Sequence, residues 1–455
     1  MKNELWSYIR EKMLEHPEQT ISEGDSAISF EDMCVFAENF ASKLNGEFYG
    51  ICCQSELAAV MAFLSCVAAN VPAVPIPTKY GNQVYRRIID AADPPYVITD
   101  MGGELHTLYM DPKTHVRFTS SPSVILYTSG STGVPKGVML SPNNLLNNIQ
   151  DISSYLPLDC SDTFLISRSL YHSSVLTGEL LVSLCKGCNI VFYSGAFNPG
   201  EMLKIIKKEH ITATGSTPTL ISTLSRFARG SVTDRIRLLS VSGECMTEGM
   251  AEQISSGFPN AKVYCGYGLS EASPRVAYLP PELFKVVPTS AGIALPSVQI
   301  KIVNDLGETV GENEVGELLV QGENVMTGYF KDPEKTSQTI MNKWLYTGDL
   351  AYYSNGLLYI KGRKDDMIIR SGMNIYPAEV ENALSTDPRV TDLLVYGYND
   401  GRTQQIGIKV RGDFASNEEV MALCRLKLAP YQIPNRIEIV DSISKGTTGK
   451  KRRKL

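Results

Sequence analysis

Tyr127-Thr128-Ser129-Gly130-Ser131-Thr132-Gly133-Val134-Pro135-Lys136-Gly137 follows an apolar run, Ser123 to Tyr127, and precedes Ser141-Pro142. The run reads as a buried strand. Ser141-Pro142 reads as a helix start, with Ser as N-cap and Pro at the first helical position. Between them lie three glycines, four Ser/Thr hydroxyls and one lysine. Glycines let backbone N–H groups approach anionic oxygens, hydroxyls donate hydrogen bonds and a lysine neutralises charge, so strand, loop and helix together predict a cradle for a nucleoside triphosphate. The stretch departs from the kinase-type P-loop, because Pro135-Lys136-Gly137 stands where Gly-Lys-Ser/Thr is required. A surface linker is the alternative reading of the same residues, and the close bracketing by strand and helix weighs against it.

Outward from this loop, apolar strands alternate with helical spacing. N-terminal to it, an amphipathic helix is expected over Met1 to His16, a hairpin over Thr20 to Ser29, and helices over Phe30 to Leu44, Leu57 to Ala69 and Gln83 to Ala92. Prolines make Val71 to Pro77 extended, and Tyr96 to Thr99 reads as a strand. C-terminal to the loop, strands are expected at Thr163 to Ile166, Asn189 to Tyr193, Ala213 to Gly215, Leu238 to Ser242 and Lys262 to Gly266. This alternation predicts parallel α/β layers. From Ala291 the texture changes to strands and turns, a β-rich subdomain. After Gly362 a compact unit follows, with strands at Met367 to Arg370, Leu393 to Tyr396 and Ile406 to Val410 and helices at Pro377 to Leu384 and Asn417 to Leu428.

The chain of 455 residues is too long for one ordinary domain. Hydrophobic residues at 43% and charged residues at 20% describe a folded protein with a sizeable core. A net charge of -6 carries no basic footprint, so a nucleic-acid partner is not expected. The most apolar stretch, Leu57 to Ala69, is shorter than the roughly 20 residues that cross a bilayer, and no membrane span is expected. Ten scattered cysteines with no export signal predict a reduced, cytoplasmic setting. The pair Cys185-Lys186-Gly187-Cys188 has no second pair or neighbouring histidine in sequence, so a core or turn role is favoured over zinc or redox work.

Six further segments extend the reading: Tyr171-His172-Ser173-Ser174, Gly266-Tyr267-Gly268-Leu269-Ser270-Glu271, Tyr346-Thr347-Gly348-Asp349, Gly362-Arg363-Lys364-Asp365-Asp366, Ser371 to Glu379, and Thr448-Gly449-Lys450. With the loop, and in this order, they resemble the adenylate-forming superfamily, which includes acyl-CoA synthetases, aryl-CoA ligases, firefly luciferase and peptide-synthetase adenylation domains. The resemblance implies an α/β fold: a large N-terminal domain (1–361) with a β-rich subdomain, a hinge (362–365), and a small mobile α+β C-terminal domain (366–455). It implies ATP- and Mg²⁺-dependent activation of a carboxylic acid as acyl-AMP, with pyrophosphate release. Transfer follows to a thiol, either CoA or the phosphopantetheine of a separate acyl carrier protein.

Residue by residue, the resemblance implies that Thr128, Ser129, Gly130, Ser131, Thr132 and Lys136 hold the β/γ-phosphates and that Glu271 binds Mg²⁺. Ser270 stands where the family usually has Thr and keeps the hydroxyl. Gly243, Glu244, Gly266, Tyr267 and Gly268 correspond to adenine-contacting positions. Asp349 corresponds to the ribose acceptor, with Arg363 supporting ribose or phosphate from the other side of the hinge. Lys450 resembles the catalytic lysine that bridges carboxylate and α-phosphate, although Ser444 stands ahead of its loop where Pro is common. Asp365 and Gly372 correspond to the hinge and the pantetheine channel. His172 either lines the acid pocket or packs as a neutral side chain. With no acidic residue in Leu170-Tyr171-His172-Ser173, the segment resembles the branch whose acids lack an α-amino group. Val71 to Pro77 and Tyr127 to Asn148 also resemble fatty acyl-AMP ligases, which load carriers, but their long insertion is not evident before Gly362. A nucleotide-binding regulator without catalysis is the alternative from another class.

Overall fold

The computed structural model describes residues 3–78, 82–116, 118, 122–129, 135–228, 233–370, 373–399 and 404–443. Among these residues, two large sheets carry the fold. The nine-stranded sheet has the spatial order Ile293–Ala294, Arg275–Leu279, Lys262–Gly268, Leu238–Ser242, Ala213–Ser216, Thr163–Ile166, Asn189–Phe192, Thr20–Glu23, Ser26–Ser29. Every pairing from Lys262–Gly268 to Thr20–Glu23 is parallel, and the outer pairings are antiparallel. In the seven-stranded sheet, Val124–Ser129, Ala73–Pro75, Tyr49–Ile51 and Tyr96–Met101 form a parallel centre. Its antiparallel edges are Gly328–Tyr329 with Pro135–Leu140 and, opposite, Glu104–Tyr109.

Strand periodicity explains why the nine-stranded sheet is covered on both faces. Successive side chains point to opposite sides, so Phe164, Ala213, Leu238 and Tyr264 enter one core while Leu165, Leu239, Val263 and Cys265 enter another. Such strands read as continuous apolar runs rather than alternating ones. The helix Glu56–Ala69 contacts Thr20–Glu23 of one sheet and Ala73–Pro75 of the other. Its apolar residues surround the axis, as a helix between two sheets requires, and burying Phe63 alone stabilises the core by roughly 1.5–3 kcal/mol. Ser55 caps its start, where the Glu23 carboxylate accepts from the Ser55 hydroxyl at 2.6 Å and the Leu57 N–H at 2.9 Å.

The expected helices and most expected strands are present, with ends displaced by a few residues. Tyr49–Ile51, Glu104–Tyr109, Pro135–Leu140 and Arg275–Leu279 are strands that pattern reading misses. Glu104–Tyr109 is an edge strand and Leu108 and Tyr109 are exposed, so it lacks the alternation of a half-buried strand. From Val298 onward a third sheet forms from Val298–Val303, Gly316–Gly322, Trp344–Ser354, Ile340–Met341 and Leu357–Arg363, the expected β-rich subdomain. A small C-terminal unit follows with a core of its own, drawn from residues between Ile368 and Leu428. It packs the helices Pro377–Ser385 and Asn417–Lys427 on the strands Val390–Asn399, Gln404–Gly412 and Arg436–Ile439.

Cys185 and Cys188 are both buried at the turn between a short helix and the strand Asn189–Phe192. Burial pushes the Cys185 thiol up to about 12. The fold does bring a histidine close: a Cβ on Gly187 would lie 2.3 Å from Cδ2 of His16. Among the described residues no group of three or more His, Cys, Asp or Glu side chains is placed to hold a metal ion. No helix among them is long and apolar enough to cross a membrane.

Candidate active site

Ser141 caps the helix Pro142–Tyr155 through a reciprocal hydrogen-bonded box with Asn144, as the Ser-Pro start predicts. The loop, however, does not run directly into this helix. Val124–Ser129 pairs antiparallel with Pro135–Leu140, so Thr128 lies opposite Lys136 and residues 130–134 join two strands. Val138 and Leu140 are buried and Gly137 packs closely on Ile125 and Phe330, which draws the segment into the sheet. The chain after Ser129 therefore returns as a second strand at Pro135 rather than entering a helix N-terminus directly. Gly130, Ser131 and Thr132 lie outside the described residues, as does the side chain of Ser129.

Lys136 reaches inward, with Nζ 5.6 Å from the ring centroid of Tyr329. Tyr329 in turn donates its hydroxyl to Oε1 of Glu271 at 2.9 Å. Burial first, and then the Glu271 carboxylate, push the Tyr329 hydroxyl well above its ordinary pKa, so it stays a donor. Tyr329 has no signal in the sequence, because its place depends on the pairing of Gly328–Tyr329 with Val138 and Met139.

Glu271 and Ser270 stand on a short 3₁₀ turn, Ser270–Ala272, between the strands Lys262–Gly268 and Arg275–Leu279. The turn is tight because Leu269 N–H donates to the Pro274 carbonyl at 2.9 Å. A Cβ on Gly268 would lie 2.0 Å from that carbonyl oxygen, so glycine is required there. The Met326 N–H donates to the Glu271 carbonyl at 2.9 Å, and the hydroxyls of Ser270 and Ser173 are 3.0 Å apart. His172 therefore belongs to the same neighbourhood. It precedes a short helix and its ring meets that of Tyr171 edge-on, with centroids 5.3 Å apart.

Tyr267 donates its hydroxyl to Oδ2 of Asp349 at 2.5 Å. Arg363 lies directly across the hairpin of Trp344–Ser354 and Leu357–Arg363 and donates to Oδ1 of Asp349 at 3.1 Å and to the Thr347 carbonyl at 2.8 Å. Arg363 thus shares a hairpin with Asp349, where a position on the other side of the hinge is expected from sequence. Burial acts to lower the Arg363 pKa, but Asp349, followed by Glu271 and Tyr267, raises it overall. The Tyr267 hydroxyl is pushed well above its ordinary range by burial and then by Asp349. Lys136, Tyr329 and Glu271 form one contacting group and Tyr267, Asp349 and Arg363 another, with the Glu271 charge felt at Arg363.

A cleft of about 360 Å³ opens beside the second of these groups. Gly243, Glu244, Gly266, Tyr267, Asp349 and Arg363 line one side, and Pro377, Ala378 and Asn382 of the C-terminal unit line the other. Gly243 has φ +97°, a conformation that glycine permits, and Oε2 of Glu244 accepts from the Thr219 hydroxyl at 2.6 Å and its N–H at 3.3 Å. Asp365 lies on the 3₁₀ turn Lys364–Asp366 that leads into the C-terminal unit. Contacts across this connection include an ion pair between Lys361 and Glu379 and a hydrogen bond of 3.3 Å from Glu248 N–H to Asn382. Lys450 and Gly372 lie outside the described residues.

Residues 9–330 match the AMP-binding enzyme family, and residues 379–450 match the AMP-binding enzyme C-terminal domain. The chain is 32% identical over 335 residues to a feruloyl-CoA synthase from Amycolatopsis sp, covering 72% of this chain and 67% of that protein. It is 28% identical over 456 residues to 2-succinylbenzoate–CoA ligase from Bacillus subtilis (strain 168), covering 94% and 92% respectively. Among solved structures, it resembles the O-succinylbenzoate Coenzyme A synthetase of Bacillus subtilis in complex with ATP and magnesium ion, with TM-score 0.84 and 26% identity over 98% of both chains.

Proposed function

Because this chain belongs to the AMP-binding enzyme family, we propose that its cleft performs acid–thiol ligation through an acyl-adenylate. The enzyme activates a carboxylic acid with ATP as acyl-AMP, releases pyrophosphate and passes the acyl group to the thiol of CoA. The observation that carries the assignment of residues is a pair of neighbouring groups, Lys136–Tyr329–Glu271 and Tyr267–Asp349–Arg363, with the Glu271 charge felt at Arg363. This supports a polyphosphate and its metal beside Lys136 and Glu271, and a diol at the hydrogen-bonded carboxylate of Asp349.

Carboxylate and α-phosphate repel each other, so catalysis here is chiefly positioning and charge stabilisation. We assign Lys136 and the loop hydroxyls to the β/γ-phosphates. One Glu271 oxygen is held by Tyr329, which orients the carboxylate. Among the described residues no cluster of His, Cys, Asp or Glu accompanies Glu271, and a single carboxylate fits Mg²⁺, which keeps waters and phosphate oxygens as its other ligands. Bound there, Mg²⁺ would neutralise charge developing on the leaving pyrophosphate. Asp349, oriented by Tyr267 and Arg363, accepts from the ribose hydroxyls. Thr219 holds the Glu244 carboxylate, so we assign Gly243 and Glu244 to adenine through their backbone turn, with the Tyr267 ring and the close backbone of Gly266 and Gly268 completing the base site.

Lys450 supplies the charge between substrate carboxylate and α-phosphate by its resemblance to the family lysine. The acid lacks an α-amino group, a reading supported by the absence of an acidic side chain at Leu170 to Ser173. We place the domain division at 362–365 and the protein in the cytoplasm. The test is a panel of fatty, aryl, hydroxy and amino acids assayed for pyrophosphate release with ATP and Mg²⁺, and for thioester with CoA or a phosphopantetheinylated carrier protein. Acid-dependent pyrophosphate release and CoA thioester are expected. Pyrophosphate release with no acid in the panel, or thioester on the carrier alone, overturns the corresponding half of the assignment.

A further inference from the structure

Two arginines and one glutamate are buried together behind the reaction centre, and the proposed adenylation chemistry uses none of them. Arg168 pairs with Glu179 at 2.6 Å, with side-chain exposures of only 10% and 3%. Arg275 is 2% exposed. Its guanidinium lies against two glycines: a Cβ on Gly266 would be 1.9 Å from one terminal nitrogen, and one on Gly178 would be 3.3 Å from the other. Glu179 occupies the corresponding space above Gly215, where a Cβ would lie 2.7 Å from its carboxyl carbon. Larger residues at Gly215 or Gly266 would expel these side chains, so the glycines make room for the charges.

The group sits at the edge of the sheet where a ligand is expected. Arg168 follows the strand Thr163–Ile166, Gly215 lies in Ala213–Ser216, and Gly266 ends the parallel part of Lys262–Gly268. All three mark the carboxyl ends of parallel strands, the edge at which open α/β sheets take ligands. Arg275 comes four residues after Glu271, and Gly266 precedes Tyr267. Glu179 lies on a π-helix, Leu176–Leu181, whose wide turn is rare and recurs at functional sites. That helix begins three residues after Ser173, whose hydroxyl meets Ser270.

Charge does not balance within the group. Two guanidiniums face one carboxylate, and Nε of Arg168, Oε2 of Glu179 and Nε of Arg275 are buried without a hydrogen-bond partner. Buried charges are normally paired and fully hydrogen-bonded, because desolvation is otherwise uncompensated. A ligand bringing one negative charge would neutralise the excess and occupy the orphaned donors, and a bidentate carboxylate suits a guanidinium. A long alkyl chain entering the same space would have to displace an ion pair or lie against unpaired charge.

We propose that Arg168, Glu179 and Arg275 form the end wall of the acid pocket and select a short acid carrying a second carboxylate over monocarboxylic and long-chain acids. This rests on the acid-activating reading of the cleft. The test compares matched acids by pyrophosphate release from the full chain with ATP and Mg²⁺: butanedioate against butanoate, hexanedioate against hexanoate, and palmitate. For the best pair, kcat/KM for the dicarboxylate should exceed that for the monocarboxylate by about a hundredfold, with palmitate at background. Arg275→Met should reduce that ratio at least tenfold while the thermal shift produced by ATP persists. The wild-type ratio decides the matter even if this variant does not fold. Equal or better turnover of monocarboxylates overturns the end-wall assignment and leaves acid activation intact. Loss of pyrophosphate release with every acid overturns both.

Discussion

The phenolic oxygen of Tyr267 lies 2.5 Å from Oδ2 of Asp349, a residue 82 positions later in the chain. One residue ends a strand of the nine-stranded sheet and the other sits in the β-rich subdomain, so the bond joins two sheets at the cleft. Arg363 takes the second oxygen of the same carboxylate, and the Asp349 N–H donates to the Thr347 hydroxyl at 3.0 Å. The carboxylate is therefore held by two donors, a pre-orientation that would lower the ordering cost of binding a nucleotide at the proposed site.

Removing that carboxylate should weaken nucleotide binding. Asp349→Ala should raise the Kd for ATP by about ten- to a hundredfold, corresponding to the ~1.5–3 kcal/mol of hydrogen bonds to a charged group. Tyr267→Phe removes one neutral donor and should cost less, about 0.5–1.5 kcal/mol. Isothermal titration calorimetry checks both, and an unchanged affinity in Asp349→Ala would remove this residue from the nucleotide site.

Lys136→Ala and Glu271→Ala should each lower the adenylation rate on the order of a hundredfold, the effect of losing ~3 kcal/mol of transition-state charge stabilisation. Glu271→Gln retains the shape and an acceptor for Tyr329 but loses the charge. Its pyrophosphate release should therefore need more Mg²⁺ for half-maximal rate. A wild-type Mg²⁺ dependence in Glu271→Gln would assign the metal elsewhere.

Gly268→Ala should destabilise the turn that carries Glu271, because the new Cβ would meet a backbone oxygen at 2.0 Å that cannot rotate away. Overpacking of this kind costs ~1–3 kcal/mol. Gly200→Ala is the control: its Cβ would meet only Asn198 at 3.4 Å, in the first turn of a helix. Urea midpoints should fall for Gly268→Ala and stay level or rise for Gly200→Ala. Equal midpoints would show that the turn relaxes without cost.

The two half-reactions should separate by variant. Lys450→Ala should abolish acyl-AMP formation and leave thiolation of supplied acyl-AMP largely intact. Gly372→Leu, which puts a side chain where pantetheine is expected to approach, and Asp365→Pro, which restricts φ at the connecting turn, should do the reverse. The ion pair between Lys361 and Glu379 spans that turn, and a rotation of the C-terminal unit would have to break it. Pyrophosphate release and thioester formation from synthetic acyl-AMP are measured in parallel. Equal loss of both in all three folded variants would contradict an alternating C-terminal unit.

Local order determined much of what could be read from the sequence. The parallel strands were legible because each is an apolar run bounded by turn residues, and the helix at Pro142 because its cap is written in adjacent residues. Loop chemistry at Thr128 to Lys136, and the order of the later segments, pointed to the family and to the proposed nucleotide site. The second strand of that loop was not legible: Pro135-Lys136-Gly137 is a poor strand former, and only pairing with Thr128 to Ser129 and packing on Phe330 draws it into the sheet.

What the tertiary structure alone decided are the contacts between distant segments. Tyr329 meets Glu271 across 58 residues, and neither residue's neighbours announce the other. Arg275 and Glu179 look like ordinary surface charges in sequence. They are buried because Gly215 and Gly266, on two different strands, leave space for them. Propensity, capping and turn chemistry act over a few residues and are written locally. Charge balance and the closure of a pocket depend on which strands become neighbours, and that is set by packing of the whole chain.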